Sequence, residues 1–287
     1  MNDYSAKLGI ITVGIRCPAD EGGRSCTGEG EDAMKIYVLL KQTFDTEERI
    51  VLQDGAVSEE GVRYIINPYD EYAVEEAIRI REACGGTVYV VTAGPERAAE
   101  ALRTALAMGA DEAVHIEEVP DADEAVTSRL LAAYLKQQKP DLILGGFFSI
   151  DQGAGQTAIR VAELLGMPHV SAVTKLTVES GTARCERDAE GDIQRLEVEL
   201  PAVITAQQGL NEPRYPSLPG IMKAKRKPYH RIGLEQLGLK PEELMPRRKR
   251  LIVTLPPARS EGRILTGTLE EQVQSLIAHL RQVEKVI

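Results

Sequence analysis

The chain has 287 residues, 43% of them apolar and only 4% aromatic, with no Trp, which is enough for one large aliphatic core or two modest ones. A formal net charge of −10 excludes a general nucleic-acid binder, which needs a basic face to displace counterions. Cys17, Cys26, Cys84 and Cys185 form no CxxC and meet no His at zinc spacing, so they point to a reducing, cytoplasmic setting and no metal site; no apolar run is long enough to span a membrane.

Residues 1–33 differ from the rest. A short apolar run, Leu8 to Ile15, precedes a glycine- and acid-rich tract ending at Asp32. It lacks a convincing cleavage site for a secretory signal. It reads as a disordered arm or as an upstream extension from a misassigned start; the second is favoured because Met34 opens a clean strand. Lys35 to Leu40 is that strand. Within 50–66, Ile50-Val51-Leu52, Asp54-Gly55 and Val57 signal a hairpin. Asn67-Pro68-Tyr69-Asp70-Glu71 opens a helix, with Asn67 as cap, Pro68 in the first turn and acids at the positive end. Ala73, Ala77, Ile80 and Cys84 form its apolar face, and Gly85-Gly86 stops it.

Thr87 to Val91 is the next strand, running into a Thr92-Ala93-Gly94-Pro95 loop. A helix follows with Ala98, Leu102, Ala105 and Leu106 on one face, ended by Gly109. Glu112 to Ile116 is strand-like, and 123–138 is helical, with Val126, Leu130, Ala133 and Tyr134 in register. Leu142-Ile143-Leu144 then runs into Gly145-Gly146-Phe147-Phe148-Ser149-Ile150-Asp151-Gln152-Gly153-Ala154-Gly155-Gln156-Thr157. A helix carrying Ala158, Val161, Ala162 and Leu165 comes next. Strand, glycine loop and helix start make an anion site: glycine lets backbone approach the ligand, and first-turn N–H groups point at negative charge. Asp151 is placed to cap that helix while lying in the site. Alternating strands and helices imply parallel pairing with right-handed crossovers, which puts both loops at the carboxyl edge of a doubly wound sheet.

Val170 to Val178, a hairpin over 182–199 around Glu190-Gly191, and Ala202 to Ala206 read as strands extending the same sheet. Residues 207–228 hold four prolines with Leu, Ile and Met and read as an irregular functional loop beside a solvated basic run. A polar, basic tail to Arg250, a strand-like Leu251 to Leu255 and an amphipathic helix from Leu269 to about Val286 complete the chain. His115 reads as structural, and His169, His230 and His279 lie near no nucleophile pattern. No Ser-His-Asp or metal constellation is visible, which fits a carrier rather than an enzyme. From residues alone, the glycine loop also suits a stand-alone nucleotide sensor or a nucleotide hydrolase.

Several stretches together resemble the beta subunit of electron transfer flavoproteins: Asn67 to Ala77, Arg103 to Asp111, Asp151 to Thr157, Arg187 through Thr205, and Leu210 to Lys225. Cys185 stands where that family usually has a small or branched aliphatic residue, and Gly146-Phe147-Phe148-Ser149 replaces a more usual Gly-(Lys/Arg)-Gln-Ala. The resemblance implies an adenine-nucleotide-binding α/β fold. It implies a heterodimer with an alpha subunit that carries most of the FAD site, and a structural AMP in beta, with a second FAD in its place in the bifurcating branch. It implies electron transport from acyl-CoA or related dehydrogenases, in a fatty acid oxidation setting, to a quinone oxidoreductase or another acceptor. Carried over by position, Leu39, Asn67, Pro68, Tyr69, Asp70 and Ala93 line the nucleotide. Gly146, Phe147, Phe148, Ser149, Ile150, Asp151, Gln152, Gly153, Ala154, Gly155, Gln156 and Thr157 wrap its phosphate. Leu218 matches the anchor of a recognition loop over 206–228 that binds partner dehydrogenases, with Lys223 and Arg226 beside it. Thr46 stands at a position that touches the flavin. The resemblance thus divides the chain into an extension (1–33), a nucleotide-binding domain (34–230) and an arm packing on the partner subunit (231–287).

Overall fold

The computed structural model describes residues 33–287 apart from 260, 261 and 263, so the reading of the N-terminal extension lies, save for Ala33, outside the described residues. These residues form two compact units: 33–49 with 59–250, and 50–58 with 251–287. In chain order the elements begin with β1 (Lys35–Leu39), β2 (Gln42–Phe44), β3 (Leu52–Gln53), β4 (Ala56–Val57), β5 (Tyr64–Ile66), α1 (Pro68–Cys84) and β6 (Thr87–Gly94). They continue through α2 (Ala99–Met108), β7 (Glu112–Glu117), α3 (Glu124–Gln138), β8 (Leu142–Gly146), α4 (Thr157–Leu165), β9 (His169–Glu179), β10 (Thr182–Ala189), β11 (Asp192–Glu199) and β12 (Ala202–Ala206). The last are α5 (Leu218–Ala224), β13 (Tyr229–Ile232), α6 (Leu234–Leu237) and α7 (Leu269–His279).

In the first unit a nine-stranded sheet has the order β11-β10-β9-β12-β8-β1-β6-β7-β13. It is parallel from β9 to β13 along that order and antiparallel across β9, β10 and β11. From β1 the chain steps outward through α1 to β6 and through α2 to β7. It then returns through α3 to β8, on the other side of β1. The order therefore reverses between β1 and β8, and this reversal opens a crevice at the carboxyl ends of those two strands.

Strand residues alternate between two cores, as a pleated strand covered on both faces requires. Ile36, Val38, Val88, Val90, Leu142, Leu144 and Ile204 pack with α1 and α2, while Tyr37, Leu39, Val91, Ile143 and Val203 pack with α3 and α4. This is the doubly wound, mostly parallel α/β fold that the pattern implies. The local signals explain the helix ends. Asp123 accepts from the Ala125 and Val126 N–H groups at 3.0 Å to start α3. Gly166, at φ +66°, ends α4 in the left-handed region that glycine tolerates.

Three parts of the first unit differ from the sequence reading. β6 runs to Gly94, because Thr92 and Ala93 stay paired with β7 until Pro95. The stretch 207–228 contains a helix, α5, whose Ser217 cap accepts from the Gly220 N–H at 3.1 Å. Residues 231–250, assigned from sequence to the arm, belong to this unit: β13 pairs in parallel with β7, and Leu237 and Leu244 are buried with α3.

In the second unit β3 and β4 form the expected hairpin, with Asp54 (φ +52°) and Gly55 (φ +79°) both left-handed, as a two-residue turn needs. Leu251 to Leu255 forms no strand; Leu251 and Ile252 are exposed, and no strand pairs with them among the described residues. α7 begins with a reciprocal Thr268–Glu271 cap, and its α-helical part ends at His279, where a π-helical turn over Leu280–Glu284 takes over. Among the described residues no helix is long and apolar enough to cross a membrane.

Candidate functional site

The crevice between β1 and β8 is closed below by the start of α1. Asn67 occupies the N-cap position, but its side chain does not cap the helix. Its Nδ2 group donates to the Phe148 carbonyl at 3.0 Å and to Asp70 Oδ1 at 3.1 Å, and its Oδ1 accepts from the Ile150 N–H at 3.2 Å. The cap residue read from sequence is thus a clamp on the glycine loop. The backbone still performs the cap's other task, as Asn67 O accepts from the Asp70 and Glu71 N–H groups.

Asp70 is buried at the switch point and joins both strand ends. Its Oδ2 accepts from the Lys41 N–H at 2.7 Å, just past β1, and its Oδ1 accepts from the Gly146 N–H at 2.9 Å, at the end of β8. Burial pushes its carboxyl up to about 7, against the pull of these donors and of the Lys41 charge. Both oxygens serve the scaffold, so Asp70 shapes the site from beneath. Gly146 is required by this closeness: a Cβ there would collide with Asp70 Oδ1 and sit 2.7 Å from Tyr69 Cβ.

Two groups come together over the crevice from opposite strands. Lys41 Nζ lies 2.8 and 2.7 Å from the two Asp151 oxygens and donates to Ser149 Oγ at 3.3 Å. Burial raises the Asp151 carboxyl, but the Lys41 charge and hydrogen bond outweigh this and hold it below its ordinary value. Asp151 therefore does not cap α4; the cap position falls to Gln156, which makes no side-chain cap hydrogen bond. Gln156 turns its Oε1 to Arg160, accepting from Nε at 3.1 Å and Nη2 at 2.8 Å, which leaves its amide NH2 as the donating end. Lys41 and Arg160 are cations that the sequence reading missed. The available signal for Lys41 was its place directly after the first strand, which always ends at the switch point of such a sheet.

The remaining candidates fall into place around this pair. Leu39, at the end of β1, packs against Gly145 and belongs with Ala158 to the α3–α4 core. Ala93 is half-buried near the end of β6, two strands' width from the loop. The Phe148 ring lies on Tyr69 at 4.3 Å and edge-on to Phe147 at 5.6 Å; all three are half-buried. The Phe147 N–H donates to the Ala206 carbonyl at 2.9 Å, which ties the loop to the end of β12. Gln152 and Gly153 are exposed; Gly153 is left-handed with open space beside it, and Gly155 is left-handed under the Phe147 carbonyl. Pro68 is the first residue of α1, Ile150 and Ala154 are half-buried in the loop, and Thr157 begins α4. This donor set suits a nucleotide. The loop's Asp151 is neutralised by Lys41, Asp70 of α1 is buried on the scaffold, the start of α4 has no side-chain cap, and aromatic faces lie alongside.

A second surface lies elsewhere on the first unit. Leu218 is 75% exposed at the start of α5, beside Tyr215 at 93% and Met222 at 60%. Lys223 and Arg226 are exposed next to them. Lys227 is not part of the solvated run: its Nζ donates to the Leu106 and Ala110 carbonyls and so satisfies the end of α2. Thr46 is exposed in a turn after β2. His115 is buried, with Nε2 donating to the Gly94 carbonyl at 2.9 Å and Nδ1 3.0 Å from the Tyr229 hydroxyl, a structural role. Among the described residues no cluster of His, Cys, Asp or Glu suits a metal ion.

Comparison with known proteins places this geometry in a family. Residues 54–236 match the electron transfer flavoprotein domain. The chain is 49% identical over 257 residues to the electron transfer flavoprotein subunit beta of Bacillus subtilis, covering 88% of this chain and all of that one. It is 44% identical to the Syntrophomonas wolfei subunit beta (80% and 88% covered) and 34% identical to the human one (88% and 99% covered).

Proposed function

Since the chain belongs to the electron transfer flavoprotein family, as a beta subunit that pairs with an alpha subunit, we propose that it holds a structural AMP at the β1–β8 crevice. In this reading the heterodimer carries electrons from soluble dehydrogenases of the acyl-CoA type to a quinone oxidoreductase or a comparable acceptor. The observation that carries the nucleotide site is the Lys41–Asp151 pair beside the uncapped start of α4. Asp151 is neutralised there by Lys41, so an incoming phosphate meets N–H dipoles and the Arg160 cation rather than a bare carboxylate. Gly146 to Thr157 wrap the phosphate; Leu39, Ala93, Asn67, Pro68 and Tyr69 bound the adenine side, with Asp70 beneath.

FAD, seated mostly on the alpha subunit, supplies the redox chemistry when bound. This chain contributes binding, orientation and docking, and the reading requires no acid–base pair of it. Leu218 is the apolar anchor offered to the dehydrogenase, with Lys223 and Arg226 steering charge beside it. Residues 251–287 pack on the alpha subunit, and the complex is cytoplasmic. The test is to denature the copurified heterodimer and separate the released nucleotides. Equal amounts of FAD and AMP are expected. FAD alone, at twice the heterodimer concentration, marks the bifurcating form, and release of FAD at the heterodimer concentration without AMP refutes the proposed site.

A further inference from the structure

The segment 211–224 is held down, not loose. Arg214 lays its guanidinium across two carboxylates of α1: Nε and Nη2 donate to Glu75 at 2.8 and 3.0 Å, and Nη1 and Nη2 donate to Glu82 at 2.7 and 3.2 Å. The Arg214 backbone N–H adds a bond to Glu75 Oε2 at 3.1 Å. Asn211 Nδ2 donates to the Tyr72 carbonyl at 3.0 Å and to Glu76 Oε2 at 2.9 Å. The Glu75 side chain is only 6% exposed, so this pair is screened little by solvent. Planar, two-sided contacts of this kind fix direction as well as distance. Three residues beyond Arg214 comes the cap of α5, and α5 lies so close to α2 that a Cβ on Gly220 would meet the Ala107 carbonyl.

The same helix builds the crevice. Asn67 and Asp70 at the start of α1 hold the glycine loop, while Tyr72, Glu75, Glu76 and Glu82 hold 211–214. A second connection is short: the loop leaves β8 at Phe147, whose N–H donates to the Ala206 carbonyl at 2.9 Å, and the 207–217 segment leaves β12 at that same Ala206. Both segments therefore rest on one rigid support.

We propose that Arg214 is a positioning residue of the docking surface, and that through α1 it ties the order of residues 211–224 to nucleotide occupancy at 146–157. This rests on the reading given under the proposed function. Restraining the start of α1 and the loop by a bound nucleotide removes motions that the Arg214 fork passes to the segment presenting Tyr215, Leu218 and Met222. With the fork gone, the nucleotide still binds, but the segment no longer responds.

Hydrogen–deuterium exchange on the chain copurified with its alpha subunit, dialysed free of AMP and then resupplied with excess AMP, tests this. In the wild type, AMP slows exchange at 146–157 and also at 211–224. In Arg214→Met, and more mildly in Arg214→Lys, which keeps the charge but not the fork, exchange at 211–224 without AMP is about tenfold faster. The response of 211–224 to AMP is lost, while protection of 146–157 and of β1 and β8 is kept. If AMP protects 146–157 but leaves 211–224 unchanged in the wild type, the coupling is wrong and the nucleotide reading stands. Protection of neither segment overturns both. An AMP response at 211–224 that survives in Arg214→Met overturns the role given to Arg214.

Discussion

Asp70→Asn probes the scaffold of the site through pH. Asp70 is only 5% exposed, and its carboxyl is pushed by burial to about 7, from an ordinary 3.8. The folded value is raised, so the stabilising contribution is fully present below about pH 4 and is lost as pH rises through 7. Between those limits the folded protein keeps a proton that the unfolded chain has released. Stability should then fall by about 1.4 kcal/mol per pH unit from this group, a total of roughly 4 kcal/mol across the window. The assay is urea denaturation of the copurified heterodimer at several pH values from 5 to 6.5, wild type against Asp70→Asn. Asn cannot titrate, so the variant's slope should be shallower by that amount per unit. At pH 5 the variant should also be less stable, because an amide nitrogen cannot accept from the N–H donors of Lys41, Asn67 and Gly146, whereas both oxygens of the carboxyl can. Equal slopes would refute the reasoning. They would mean that the three donors outweigh burial and keep the carboxylate ionised throughout.

Gly146→Ala should cost about 1–3 kcal/mol or more, since the new methyl must push Tyr69 and Asp70 off β8; the urea midpoint and the AMP content of the heterodimer should fall together. Lys41→Met should change stability by less than about 1 kcal/mol, as the Lys41–Asp151 side chains are 40% and 32% exposed. It should lower AMP retention through repeated gel filtration far more than stability, because it leaves Asp151 unpaired beside the phosphate. Leu218→Ala should leave the melting temperature unchanged, its side chain being exposed, and weaken docking to an acyl-CoA dehydrogenase by about 1.5–3 kcal/mol in a titration of electron-transfer rate.

The parts legible in the sequence are those whose cause is local. Alternating strands such as Tyr37-Val38-Leu39 announce two buried faces, and Asp123 announces the start of α3. Asp54-Gly55 and Glu190-Gly191 announce turns that need left-handed backbone, and the glycines of 145–155 announce a loop at a strand's carboxyl end. Given strands alternating with helices, the handedness of crossovers then fixes the doubly wound sheet. What only the tertiary structure decided are pairings between residues far apart in the chain. Asn67 looked like a cap, yet its side chain reaches Phe148 and Ile150, because the start of α1 lies under β8 and offers unpaired loop backbone nearer than its own first turn. Asp151 looked like a cap and instead meets Lys41, 110 residues away, since the strand order reverses between β1 and β8 and their ends face one crevice. Proline content suggested a formless 207–228, but Arg214 finds Glu75, 139 residues away, and that contact, with Gly220 against α2, leaves α5 a surface on which to form. Local sequence sets which segments are strand, helix or turn; which charge finds which partner depends on where the crossovers return the chain.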